Sequence, residues 1–194
     1  MEISFTQIIE NRKSELSKRQ LLLEEAKKYL KIIGPINFSM ADVIEVGKYN
    51  PRKKGLKIGI PQLGFLEESK DAYIYFFELV DVLNKSSLLE NIKEFKSVEN
   101  INLKRALPKC PNSLDDNDSN ILYVGSIKEN IHKRIKEHIG FGSSSTYALN
   151  LRFWVPKELK LNFYYIKIDN PILTYDIEAA LTDYLNPLIG KKEK

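Results

Sequence analysis

The sequence predicts a small α/β (α+β) fold in which helices flank a short mixed or antiparallel sheet, with a helical extension at the N-terminus. Three observations support it. Apolar residues recur at heptad spacing near the N-terminus, three short segments are aromatic and β-branched, and amphipathic stretches follow two of those segments. The 194 residues suffice for one well-buried domain with an appendage, or for two small domains.

The composition is that of a globular protein, with 43% hydrophobic and 29% charged residues. No apolar run approaches the roughly 20 residues that span a bilayer, and the opening MEISFTQIIENRK lacks the apolar segment of a signal peptide. A cytoplasmic protein without a membrane partner is therefore expected. The net charge of +4 suits a partner made of phosphates, although many ordinary proteins are as basic.

Residues 1–66 are predicted to form an N-terminal helical and basic-loop region. One helix is expected from Phe5 to Ile33, ended by Gly34-Pro35. Its apolar seam repeats every seven residues at Ile9, Leu16, Leu23 and Leu30. This helix either packs across the globular domain or pairs with a second copy of the chain in a homodimer.

Residues 67–194 are predicted to form one α/β domain with a helical insertion at about 80–119. The expected elements are a strand at Ala72–Leu79, a helix over 85–107, a strand at Ile121–Val124, a helix at Glu129–Ile139, a strand over 161–168 and a helix at Tyr175–Leu185. Polar segments rich in Gly, Pro, Asn and Asp separate them.

The helix after Gly125 places Arg134 and His138 four residues apart. They form a stripe beside the apolar residues Ile135 and Ile139, at the border of the buried face. Side chains on such a border can project into a cleft. A solvated Arg–His pair is the alternative on helix geometry alone.

Glu178 lies near the start of the last helix and beside its apolar face. Two interpretations of this carboxylate stay open. It can interact with the helix dipole, or it can be a ligand for a hard cation.

Taken together, these residues resemble the GIY-YIG nuclease superfamily over about residues 69–190. Tyr123-Val124-Gly125 corresponds to the YIG motif, and Arg134, His138 and Glu178 follow in the family's order. The first motif diverges because it lacks its glycine. Tyr73 is preferred as its tyrosine because the Glu-Ser-Lys segment precedes it, where the family's chain approaches the strand. Tyr75 stays the alternative because both side chains point to the same face of the strand. The insertion at about 80–119 replaces the usual short hairpin.

The resemblance implies a metal-dependent endonuclease that hydrolyses phosphodiester bonds in nucleic acid, with DNA as the expected substrate. It implies one Mg²⁺ or Mn²⁺ ion held by Glu178. The implied catalytic residues are Tyr73, Tyr123, Arg134, His138 and Glu178. The implied nucleic-acid-binding residues are Tyr75, Lys128, Lys133 and Asn186, the last of which is alternatively a helix cap. A catalytically decayed nucleic-acid-binding module on the same fold is the competing interpretation.

Overall fold

The computed structural model describes residues 5–26, 28, 30–45, 58–59, 69–80, 85–102, 107–110, 117–141 and 147–190. The main sheet contains the strands β1 (Ile32–Ser39), β4 (Ala72–Leu79), β5 (Ile121–Ile127) and β6 (Lys160–Ile168). Their order across the sheet is β1-β6-β4-β5, and every neighbouring pair is antiparallel. A separate two-stranded sheet pairs β2 (Ile44–Glu45) with β3 (Ile58–Gly59). The α+β class predicted from the sequence is confirmed.

Helices cover both faces of the main sheet. They are α1 (Phe5–Ala26), α2 (Lys85–Asn102), α3 (Ile131–Lys136) and α4 (Thr174–Leu185). Apolar side chains of α2 and α3 join one buried cluster, whereas those of α1 and α4 pack in a second cluster on the opposite face. None of the described helices is both long enough and apolar enough to cross a lipid bilayer.

Strand β4 lies inside the sheet and contributes side chains to both buried clusters. Tyr73, Tyr75 and Phe77 belong to the cluster with α2 and α3, while Ile74 and Phe76 belong to the cluster with α1 and α4. This alternation follows from the two-residue period of a strand. Burial on both faces explains why β4 is aromatic and aliphatic from Ala72 to Phe77.

The N-terminal region departs from the predicted helix. Helix α1 ends at Ala26, and Ile32–Ser39 forms β1, which pairs with the sheet edge at β6. Gly34-Pro35 lies inside β1, where the register shifts between Ile33 and Ile36. Backbone pairing with a distant strand overrides the helical spacing of the apolar residues, because β1 satisfies the hydrogen bonds of the β6 edge. The region 1–66 thus supplies a strand to the same sheet as residues 67–194.

Two predicted segments differ in extent. Helix α3 ends at Lys136. A wider helical turn, Glu137–Phe141, follows it directly, and Gly140 in this turn has a φ of 115°. The predicted insertion contains α2, whose apolar residues pack on the sheet. The basic loop predicted after Val46 lies outside the described residues, apart from β3.

Strand β1 gives a test of its place in the core. Phe38 is 1% exposed and packs against Phe77 with ring centroids 6.3 Å apart, whereas Ile32 in the same strand is 52% exposed. Phe38→Ala should lower the free energy of unfolding by about 3–5 kcal/mol, the usual cost of a buried Phe→Ala change. Ile32→Ala should cost less than about 1 kcal/mol. Urea unfolding measures both, and equal effects would show that β1 is not part of the core.

Candidate active site

Two glycines allow the tyrosines of β4 and β5 to lie close together. Tyr75 pairs with Gly125 across the strands, and a Cβ atom at residue 125 would lie 2.8 Å from Tyr75 Oη and 2.6 Å from Tyr123 Cε1. On the other side of the Tyr123 ring, a Cβ at Gly190 would lie 2.8 Å from Cε2. Gly190 also has a φ of 86°, which disfavours any other residue. The Tyr123 ring is therefore held between two positions that exclude a side chain.

The hydroxyl of Tyr75 lies at the centre of a buried hydrogen-bond network. Its Oη atom lies 2.8 Å from Nε2 of His138, and Nε of Arg134 donates to it at 3.1 Å. The His138 ring centroid is 5.5 Å from that of Tyr75 and 5.0 Å from that of Tyr123. The arginine and histidine predicted to share a stripe therefore reach the same phenol.

The hydrogen bonds of His138 define its tautomer. The backbone N–H of Leu149 donates to Nδ1 at 3.1 Å, so Nδ1 must carry a lone pair. The proton of the neutral ring is then on Nε2, which donates to Tyr75 Oη. Complete burial and the nearby charge of Arg134 lower the pKa of His138 well below 6.5. His138 is therefore a neutral donor with both ring nitrogens engaged.

Backbone groups of residues 147–149, just before the short helical turn Leu151–Phe153, form hydrogen bonds with Arg134 and His138. The carbonyl of Tyr147 accepts from Nη2 of Arg134 at 2.7 Å, and the N–H of Leu149 is the donor to His138. The indole N–H of Trp154 donates to the carbonyl of Leu149 at 2.7 Å, which fixes that backbone in turn. Sequence reasoning missed these contacts because they use backbone atoms, which leave no signal in the identity of the side chain.

The guanidinium of Arg134 forms three hydrogen bonds within the protein. Besides its bonds to Tyr75 and to the Tyr147 carbonyl, Nη1 donates to Glu137 Oε2 at 3.0 Å. A guanidinium has five N–H donors in a fixed fork, and these three bonds orient it. The fork is thus rigid before any ligand arrives.

Glu178 reaches this site from the other face of the sheet. Its Oε2 accepts a hydrogen bond from Ser126 Oγ at 2.5 Å, one residue beyond Gly125 in β5. Because β5 is an edge strand, side chains from both faces meet around it. A pocket of about 530 Å³ is lined by Tyr123, Val124, Tyr175, Glu178, Ala179, Thr182, Asp183 and Gly190. Tyr123 and Glu178 therefore face one cavity.

The two tyrosines are protonated in this arrangement. Burial raises the pKa of Tyr75, and the neighbouring Tyr123 and Glu178 add to the effect. Burial likewise raises the pKa of Tyr123, with a further contribution from the charge of Glu178. Arg134 opposes both shifts because a cation favours the phenolate. The same charge effects show that Arg134 and Glu178 both lie near the pair of tyrosines.

No family model, curated protein or solved structure matches this chain. The site must therefore be interpreted from its own geometry.

The donor atoms present fit only one class of metal ion. Within the described ranges, no group of three or more His, Cys, Asp or Glu residues could hold a metal. His138 has both nitrogens engaged, so the acidic groups in the pocket wall are the carboxylates of Glu178 and Asp183, of which Glu178 is the ligand that the motif resemblance implies. One carboxylate suits a hard cation such as Mg²⁺, which keeps most of its waters and binds phosphate oxygens. A softer ion such as Zn²⁺ would require more protein ligands.

The two tyrosines considered for the first motif have different contacts in the structure. Its hydroxyl lies 2.6 Å from Ser69 Oγ, and its ring packs edge-on against Tyr165 at 5.8 Å. Tyr73 and Tyr75 share a face of β4, as predicted, but only Tyr75 contacts His138 and Arg134. Tyr75, predicted as a nucleic-acid contact, is fully buried.

The other predicted nucleic-acid contacts have different surroundings. Lys128 Nζ lies 5.1 Å from the centroid of the Tyr175 ring at the pocket mouth, and Lys133 is exposed at the start of α3. Asn186 ends α4 with a φ of 48°, and its side-chain amide donates to Asn117 Oδ1 at 3.1 Å. The helix-cap interpretation therefore describes the observed contacts of Asn186.

The buried neutral His138 predicts an acid-sensitive stability. The unfolded histidine binds a proton near pH 6.5 whereas the folded one does not, so the contribution of His138 to stability is complete above that pH and is lost below it. Between pH 6.5 and 5.5 the slope of the unfolding free energy should approach about 1.4 kcal/mol per pH unit. Urea unfolding of wild type and His138→Gln isolates this slope, which the variant should lose. An unchanged slope in His138→Gln would contradict a buried neutral ring.

Proposed function

We propose that this chain is a metal-dependent endonuclease of the GIY-YIG type that hydrolyses phosphodiester bonds in nucleic acid, with DNA as the expected substrate. One observation carries the proposal. The Arg134–Tyr75–His138 network lies beside a pocket whose wall combines a phenol, Tyr123, with a carboxylate, Glu178. These are the residue types that the motif resemblance implies, and they approach one another although they are distant in sequence.

The charges of the site suit phosphate chemistry. Hydrolysis of a phosphodiester requires stabilisation of the negative charge that develops at phosphorus. Arg134 would bind the non-bridging oxygens through the planar fork that Tyr75, Glu137 and the Tyr147 carbonyl orient. When bound, a Mg²⁺ or Mn²⁺ ion supplies Lewis-acid charge at the phosphoryl oxygen, and Glu178 is the residue that would hold it.

The two tyrosines would have different tasks. Tyr123 lines the pocket, so its phenolate would take the proton of the attacking water as the water oxygen bonds to phosphorus and the bond to the leaving oxygen breaks. Tyr75 is fully buried behind it and would hold Arg134 and His138 in place rather than touch the substrate.

Removal of the Glu178 carboxylate tests whether the chain cleaves nucleic acid in a metal-dependent way. Purified protein should nick or linearise plasmid DNA with Mg²⁺ or Mn²⁺ and not with EDTA. Glu178→Gln should reduce cleavage by at least about 100-fold, because a neutral amide is a poor ligand for a hard cation. The exposed Glu158→Gln serves as the matched control and should cleave like wild type.

Three outcomes of that assay are decisive. Equal activity of Glu178→Gln and wild type would overturn the metal-dependent mechanism. A band shift without cleavage under any divalent ion would favour a nucleic-acid-binding module on the same fold. Absence of both cleavage and salt-sensitive binding would remove nucleic acid as the partner.

The pH dependence separates the tyrosines. Because the phenolate is the proposed base, the cleavage rate with Mg²⁺ should rise with pH until the pH exceeds the pKa of Tyr123 in the metal-bound enzyme. Tyr123→Phe should lower kcat by about 10²- to 10⁴-fold and flatten this profile. Tyr73→Phe, which removes a hydroxyl bonded to Ser69, should leave both unchanged. A steep profile that persists in Tyr123→Phe would assign the proton transfer elsewhere.

A further inference from the structure

We infer that the pocket beside Glu178 binds an unstacked nucleobase next to the scissile phosphate, with Tyr175 as the stacking surface. The substrate class is therefore single-stranded or locally unpaired nucleic acid. This inference rests on the proposed nuclease function and adds the form of the substrate to it.

One face of α4 forms the wall of this pocket. Tyr175, Glu178, Ala179 and Thr182 follow the i, i+3, i+4, i+7 spacing of one helix face, and all line the cavity. Tyr123, Val124 and Gly190 also line it. The cavity volume of about 530 Å³ lies within the usual range for a bound small organic group.

Tyr175 has the properties of a stacking surface. Its side chain is 63% exposed although it borders the pocket that contains Glu178. Lys128 Nζ lies over this ring, 5.1 Å from its centroid, so a cation that can pair with a backbone phosphate lies next to the stacking surface. Aromatic rings that hold bases of single strands in positively charged grooves combine these same two features.

The polar end of the pocket favours a base over a second phosphate. Thr182 and Asp183 line it, and the Asp183 carboxylate would repel a phosphate group. The same carboxylate accepts hydrogen bonds from the exocyclic amino groups of cytosine, adenine or guanine. A phosphate of the backbone would instead lie near Lys128 and Arg134. The charge distribution therefore assigns the base to the part of the pocket lined by Thr182 and Asp183, and the phosphate to the part beside Glu178 and Lys128.

This geometry selects the form of the nucleic acid. In a regular duplex both faces of each base are covered by its neighbours, so a base can reach Tyr175 only after it leaves the stack. Unpaired bases in single strands, loops and bulges are already free to do so. A regular duplex should therefore be cleaved more slowly than the same sequence carrying a short unpaired segment at the cleavage site.

A double-mutant cycle between protein and substrate tests the contact. Oligonucleotides carry one abasic site at each position flanking the cleaved bond. At one position, wild type should lose roughly 5- to 150-fold in kcat/KM, the usual value of one base–aromatic stack. Tyr175→Ala should lose a similar factor on the intact substrate and show no further loss on the abasic one. Independent, multiplicative losses would overturn the proposed contact.

Matched variants separate stacking from other effects. Tyr175→Phe retains the ring and should remain within about twofold to threefold of wild type. Tyr184 lies on the same helix outside the pocket and is 85% exposed, so Tyr184→Ala should cleave normally with the full abasic penalty. An equal loss in Tyr184→Ala would indicate a general effect on α4 and would contradict the inference.

Binding without cleavage distinguishes failure of this inference from failure of the proposed function. Glu178→Gln is mixed with single-stranded oligonucleotides that carry 2-aminopurine at each position in turn. Stacking on Tyr175 should change the fluorescence at one position, and the added variant Tyr175→Ala should abolish that change. A response independent of Tyr175 overturns the base pocket even if wild type cleaves DNA. A Tyr175-dependent response without cleavage by wild type keeps the pocket and overturns only the nuclease proposal.

Discussion

The hydroxyl of Tyr75 is buried among aromatic rings at the centre of the sheet, where an unsatisfied polar group would cost about 1–3 kcal/mol. Its partners, Arg134 and His138, come from α3 and the wider turn that follows it. The hydrogen bonds to this buried oxygen therefore act together with the packing of Ile131 and Ile135 to hold this helix on the sheet. The same contacts orient a guanidinium toward the edge of β5. The packing of the core and the arrangement of the site have a common cause.

The edge position of β5 explains how two sheet faces contribute to one pocket. Tyr75 and His138 belong to the face with α2 and α3, whereas α4, which carries Glu178, packs on the other face. Among the residues that the structure describes, no strand lies beyond β5 in the main sheet, so Ser126 can bond to Glu178 while Tyr123 lines the same cavity. In the interior of a sheet the backbone would separate these groups. An edge strand with a small residue at Gly125 brings them together.

Local sequence patterns predicted the elements that depend on their own residues. The predicted strand Ala72–Leu79 agrees with β4 because its first six residues, which are buried on both faces, are all aromatic or aliphatic. The strand Ile32–Ser39 was missed because its pairing with β6 involves residues far along the chain, and isoleucines fit either structure. Motif spacing identified Arg134 and His138, but it could not distinguish Tyr73 from Tyr75. That distinction depends on where α3 lies along β4, which is a tertiary property.

Tyr75 is buried and Tyr123 lines the pocket, and the hydrogen bonds that the Tyr75 oxygen already accepts explain why the two would have different roles. Tyr75 Oη already receives N–H groups from Arg134 and from His138, whose tautomer the Leu149 N–H imposes. A phenol oxygen so occupied, and fully buried, has little capacity to receive a water proton. Tyr123 shares the influence of Arg134 but opens onto the pocket. In the proposed nuclease mechanism, Tyr123 would therefore take the proton, and the network of Tyr75, Arg134 and His138 would hold the site in place.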